Sequence, residues 1–197
     1  MAKGVKLLFF LVSIFLLALY AGGWDPLAPW YVPNLPAEIS YACVKIPLPR
    51  VALYDQYGEV VDFPPPGVYI LSFGYTYCPD VCPLTFLVLN ATHSLSGVPI
   101  YVVTVDPERD RPERLRAFAE GGRYPFTFLT GGGVEKVWRA AGMYVGKARL
   151  GDGYVIYHDV LFLLVVNGTV VGYVRGLPSP VALLKYLEPC LEKHNGE

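Results

Sequence analysis

Histidine occurs three times in 197 residues, cysteine four times and glutamine once. Four cysteines are too few for a small scaffold built on disulfides, and their spacing gives no paired zinc-finger pattern. Charge is scarce as well: 17% of residues are Asp, Glu, Lys or Arg, against about 25% in an ordinary soluble chain. The net charge is −1 and no basic stripe follows the path of a phosphate backbone, which argues against nucleic acid as a partner. The shortage of glutamine, with only four asparagines, hints at a heat-adapted source. No internal repeat and no low-complexity segment interrupts the chain, so its length reads as one domain with an appendage.

Part of the charge deficit is local. Lys3 and Lys6 precede an uncharged run over residues 7–24, which Asp25 closes. As a helix, these 18 residues at about 1.5 Å each cover ~27 Å, close to the ~30 Å of a hydrocarbon core. The lysines keep the N-terminus on the cytoplasmic side. The expectation is therefore a cytoplasmic segment over 1–6 and a single-pass anchor in the cell membrane over 7–24. The rest lies on the extracytoplasmic side. A cleaved signal peptide competes with the anchor, because Ala21-Gly22-Gly23 offers small residues for cleavage. Either one exports the remainder. Residues 25–45 carry Pro26, Pro29, Pro33 and Pro36 and suit an extended tether, which leaves 46–197 as the folded domain.

Within that domain, residues 51–54 and 59–61 flank Gly58 as a hairpin. The continuous apolar runs at 68–73 and 100–105 suit strands buried on both faces. Pro83 fits a first helical turn, so a helix is expected from 83 to Gly97 with Cys82 near its cap. Shorter helices are expected over 113–120 and 133–141, and a closing helix over 179–191 with Pro180 at its start. The remaining strands fall at 126–130, 155–157, 161–166 and 169–174, with Asn167-Gly168 as a two-residue turn between the last two. Strand–helix alternation followed by a terminal hairpin predicts an α/β fold, a thioredoxin-like mixed sheet flanked by helices.

The chemistry gathers at residues 74–85, Gly-Tyr-Thr-Tyr-Cys-Pro-Asp-Val-Cys-Pro-Leu-Thr, between the first buried strand and the first long helix. A loop in that position lies at the carboxyl edge of the sheet, where ligands bind. Thiols beside a helix N-terminus meet free N–H groups and a favourable dipole, which lower their pKa. Such thiols exchange disulfides or bind soft metals; a structural disulfide or two inert buried thiols is the plain alternative. Thioredoxin-type exchange favours two intervening residues. Three stand between Cys78 and Cys82, which gives both sulfurs room to address one ion.

Of the histidines, His93 falls late in the first helix and His194 in the terminal tail, both read as surface residues. His158 precedes the strand at 160–165, in the loop that faces the cysteine loop of a thioredoxin-like sheet. Thioredoxins usually carry a cis-proline there; residues 157–160 are Tyr-His-Asp-Val. Cys78, Cys82 and His158 then form a soft-to-borderline donor set. It suits Cu(I) through the thiolates and Cu(II) with the imidazole, whereas a structural zinc asks for a fourth ligand.

The same residues carry a family resemblance. Residues 74–85 resemble the motif of the Sco (SenC) family of copper chaperones. Residues 104–110, Thr-Val-Asp-Pro-Glu-Arg-Asp, with Pro112-Glu113 are similar to its second signature, and Tyr154 to His158 with the strand behind them to its third. The resemblance covers roughly residues 48–190. It implies a thioredoxin-like domain that holds one copper ion per chain through Cys78, Cys82 and His158. It also implies a role in assembling the binuclear copper centre of cytochrome c oxidase, by delivering copper or by reducing that centre's cysteines. The partner would be the copper-bearing subunit of a terminal oxidase. Asp80 would order the cysteine loop and Asp106 would act behind the ligands.

Three places depart from the family pattern, one being Pro64-Pro65-Pro66, where a more ordinary polar turn is usual. Asp159 follows His158 where Ser or Thr is more usual, which places an anion beside the imidazole. Tyr77 stands where many relatives carry His or another polar residue. A rival reading from another class is a metal-independent extracytoplasmic thiol–disulfide oxidoreductase that uses Cys78 and Cys82 as its redox pair. Cys43 and Cys190 remain: outside the cell they either pair as a structural disulfide or stay free thiols.

Overall fold

The computed structural model describes residues 39–196. Within them the elements run β1 (Ser40–Pro47), β2 (Val51–Asp55), β3 (Val60–Phe63), β4 (Val68–Gly74), α1 (Val81–Ser96), β5 (Ile100–Thr104), α2 (Pro112–Gly122) and β6 (Thr127–Thr130). There follow α3 (Val134–Ala140), β7 (Val145–Leu150), β8 (Gly153–His158), β9 (Leu161–Val166), β10 (Thr169–Arg175) and α4 (Pro180–Asn195). Eight strands form one mixed sheet in the order β1-β10-β9-β4-β5-β6-β2-β3, and β7 pairs with β8 as a separate hairpin.

The centre of the sheet follows from composition. Every residue of β9 is buried, and so is every residue of β4 after Val68. A strand covered on both faces has no solvent side on which to place polar residues, hence the unbroken apolar runs. β4, β5 and β6 are parallel, with α1 and α2 as their crossovers. Phe86 of α1 meets Phe118 of α2 at 5.6 Å between ring centroids and Phe128 of β6 at 5.9 Å. β9 then runs antiparallel to β4, and α4 packs on α1, β10 and β1.

Helix α1 begins at Val81, two residues before the proline that marks it in the sequence. Pro83 is accommodated because the first turn of a helix has no intrahelical partner for its N–H groups. Cys82 therefore lies inside the first turn, and Asp80 takes the cap position. At the other end Gly97 adopts φ 70° and returns its N–H to His93 O, a left-handed closure that glycine accepts readily.

Two elements depart from the expected organisation. Residues 40–45, allotted to the tether, belong to β1, which pairs antiparallel with β10 from Ser40 opposite Arg175 to Pro47 opposite Thr169. Cys43 and Cys190 form a disulfide with Cα atoms 5.1 Å apart, which ties this edge strand to α4. Gly172, opposite Cys43 in β10, makes room for it: a Cβ there would stand 2.9 Å from Cys190 Cβ and 3.0 Å from its sulfur. The folded unit thus includes residue 40, and a fragment beginning at 46 would lose most of β1. The second departure is β7, for which no strand was expected. The expected segments over 1–6, 7–24 and 25–38 lie outside the described residues. Among the described residues no helix is long and apolar enough to cross a membrane.

The Cys43–Cys190 bridge spans 147 residues of sequence, so its loss frees a long stretch of the unfolded chain. Replacing both cysteines by Ser is expected to lower the unfolding free energy by about 2–5 kcal/mol. Urea unfolding of the two proteins measures this; an unchanged midpoint would mean that β1 is held without the bridge.

Candidate functional site

Three connections converge at the carboxyl edge of the parallel strands: the cysteine loop after β4, residues 105–111 after β5, and residues 159–160 between β8 and β9. Cys82 Sγ lies 3.5 Å from His158 Nε2. Cys78 stands beside this pair, and Cys82, His158 and the backbone of Asp80 and Cys82 all act on its thiol. Cys82 is buried, whereas Cys78 is half-buried. Gly74 permits the close approach of α1: a Cβ there would stand 2.9 Å from the Phe86 ring and 3.5 Å from the Cys82 sulfur.

The two thiols are electrostatically unequal. The hydrogen bond from Cys82 draws the Cys78 thiol down from 9.0 to about 4; burial opposes this, and His158 with the backbone of Asp80 and Cys82 assists it. Cys82 is pushed up by its bond to Cys78, by burial and by repulsion from the Cys78 sulfur. The two thiols therefore lose their protons unequally, Cys78 before Cys82. A depressed folded pKa contributes stability above the ordinary thiol value, and that contribution is lost as pH falls towards about 4.

The imidazole is fixed from its other side. His158 Nδ1 lies 2.8 Å from Asp159 O. A carbonyl only accepts, so Nδ1 carries a proton, and Nε2 is the ring nitrogen turned to the sulfurs. The Asp159 carboxylate does not face the ring. It pairs with Arg175 at the end of β10 and accepts from Tyr144 N at 3.3 Å. The contact of Asp159 with the imidazole is thus made by its backbone carbonyl.

Asp80 also differs from expectation. It is exposed, and its carboxylate accepts no capping hydrogen bond from the described residues; its backbone, not its side chain, reaches Cys78. The carboxylate that orders the cysteine loop is Asp110, fully buried after β5. It accepts from Thr76 N at 3.0 Å, Thr76 Oγ1 at 2.6 Å and Thr104 Oγ1 at 2.7 Å. Burial pushes its pKa up, and these hydrogen bonds counter the rise.

Asp106 lies in the loop after β5. It is buried, pairs with Arg109 and accepts from Tyr154 Oη at 2.8 Å. Arg109 lies over the Tyr154 ring at 3.8 Å and donates to Tyr154 O at 3.1 Å. Burial and the Asp106 carboxylate push the Tyr154 phenol well above its ordinary value. Tyr75, Arg109 and Asp110 were not singled out in the sequence. Their only signal was membership of the two signatures, because their partners lie in other loops.

Among the described residues no three His, Cys, Asp or Glu side chains form a ready-made metal cage. The donor set still fits one ion. A sulfur and a nitrogen at about 2.3 and 2.0 Å from a common metal, in tetrahedral arrangement, stand about 3.5 Å apart, the separation found between Cys82 and His158. In the reduced protein, iodoacetamide is expected to modify Cys78 before Cys82. The pH midpoint for Cys78 should fall well below the ordinary thiol value of about 8.5; a midpoint near that value would contradict the inequality of the two thiols.

A putative copper-binding protein of Stutzerimonas stutzeri is 30% identical across 54% of this chain and 57% of its own, so the chain spans little more than half of that relative's length. The structure of ScoI from Bradyrhizobium japonicum with copper bound matches with a TM-score of 0.60 and 26% identity, over 74% of this chain and 99% of that one. BsSco, a member of the Sco family of cytochrome c oxidase assembly proteins, matches with a TM-score of 0.59 over 75% of this chain and 95% of that one. At 22% identity that likeness is one of fold. The profile of the SCO1/SenC family matches residues 52–192, and the chain belongs to that family.

Proposed function

We propose that the protein binds one copper ion as cargo through Cys78, Cys82 and His158 and assists assembly of the binuclear copper centre of a terminal oxidase. The observation that carries this reading is the 3.5 Å approach of Cys82 Sγ to His158 Nε2, with Cys78 half-buried in the same loop four residues before Cys82. Copper-bound ScoI and the copper-binding relative support the cargo; membership of the SCO1/SenC family supports the client. In the same proposal residues 7–24 anchor the chain in the cell membrane with residues 1–6 in the cytoplasm. The domain then works on the extracytoplasmic side, where the copper-bearing oxidase subunit would meet it.

The chain's own residues divide the work. Cys78 presents a thiolate at an accessible position, so it meets incoming copper first. Cys82 must release its proton before it can ligate, so loading is coupled to proton release. His158 holds Nε2 towards the sulfurs through the bond at Nδ1. Unloading begins at Cys78, the more exposed ligand, where a partner's donors can approach. A Cys78–Cys82 disulfide would remove both thiolates and release the metal.

One observation favours the rival oxidoreductase: an accessible low-pKa thiolate backed by a buried thiol also describes an attacking and a resolving cysteine. The rival does not use His158 as a ligand. Copper titration of the reduced protein separates the two. His158→Ala is expected to weaken copper binding by at least about tenfold, the lower end of what loss of support around a metal ligand does. Equal binding by the variant would remove His158 from the site. A reduction potential near about −270 mV without a stable copper complex would favour the rival.

A further inference from the structure

Tyr75 touches both halves of the site. It is buried, at 3% exposure, three residues before Cys78. Its C=O accepts from Cys78 N at 3.3 Å, which ties it to the cysteine loop. Its hydroxyl donates to Ile156 O and accepts from Ile156 N, both at 3.1 Å. Its ring lies edge-on to the His158 imidazole, with centroids 6.1 Å apart.

The contact with Ile156 has a structural reason. β8 carries His158 as its last residue, yet among the described residues it pairs only with β7. A lone two-stranded hairpin is marginally stable in water. Alternate residues of a strand present their N–H and C=O to the same edge, and on the edge of β8 turned away from β7 these belong to Tyr154 and Ile156. Arg109 Nη1 donates to Tyr154 O, and the Tyr75 hydroxyl satisfies both backbone groups of Ile156. Side chains from the cysteine loop and from the 105–111 loop thus do the work of a neighbouring strand.

We infer that Tyr75 is a positioning residue for the metal site: its hydroxyl holds β8, and with it His158, at a fixed distance from the two thiols. The inference rests on the copper-binding reading above. Tyr75→Phe keeps the ring, its packing and its place under Arg109, and removes only the oxygen that pairs with Ile156. The two buried backbone groups then lose their partner, and the strand that carries the imidazole is free to move against the cysteine loop.

The test uses the reduced, purified full chain with and without Tyr75→Phe, first free of metal and then loaded with Cu(II). In the metal-free variant, amide exchange at Ile156 is expected to speed up by about tenfold, with Leu71 of β4 and Leu163 of β9 unchanged. The His158 ring resonances are expected to shift. In the loaded variant, copper loss to a chelator is expected to be about tenfold faster, with weaker nitrogen coupling in the electron paramagnetic resonance spectrum. Unchanged exchange at Ile156 would overturn the strut. Faster exchange there with unaltered His158 resonances and unaltered copper release would overturn the positioning role. Loss of protection at Leu71 and Leu163 would show that the hydroxyl supports the whole fold and not this strand. If the unaltered protein takes up no copper, the binding reading fails by itself, and the His158 resonances still decide the positioning role.

Discussion

β4 and β9 run antiparallel with Ser72 opposite Phe162, and the site depends on that register. It sets the residues that precede β9 beside the residues that follow β4, so His158 comes to face the cysteine loop. The register is pinned from within: the Ser72 hydroxyl, fully buried, donates to Leu161 O at 2.9 Å. A slip by one residue would also exchange the two faces of a strand packed on both sides. The pairing that closes the core is therefore the pairing that assembles the three donors.

Around that junction the structure divides rigidity from access. Asp110 holds Thr76 and Thr104, Asp106 and Arg109 hold Tyr154, and Asp159 O fixes Nδ1 of His158. Donors held this way need little rearrangement when a metal arrives, which favours binding over reorganisation. Access is left to Cys78, half-buried at the mouth of the site, while Cys82 lies beneath it. A ligand that is both exposed and readily deprotonated suits loading and unloading; a buried one suits retention.

Much of this was legible in the sequence because it depended on local pattern. The apolar runs of β4 and β9, the Asn167-Gly168 turn and the placement of Cys78 and Cys82 between a strand and a helix all follow from composition within a few residues. His158 was legible at one remove, through the position that a thioredoxin-like order gives it. What escaped depends on pairing between distant segments. β1 lies among prolines and owes its conformation to β10 and to the Cys43–Cys190 bridge, so residues 40–45 read as tether. β7 owes its conformation to β8. The role of Asp80 fell to Asp110 because the direction of a carboxylate is set by the loop across the edge. The Asp159 side chain turned to Arg175 for the same reason, leaving only its carbonyl on the histidine.

X-ray absorption of the reduced protein loaded with one equivalent of copper tests the central claim most directly. Binding through Cys78, Cys82 and His158 requires two sulfur scatterers and one imidazole nitrogen around the metal, with one sulfur lost when either cysteine is replaced by Ser. A spectrum fitted by nitrogen and oxygen donors alone, or one that is unaltered in the cysteine variants, would contradict the account.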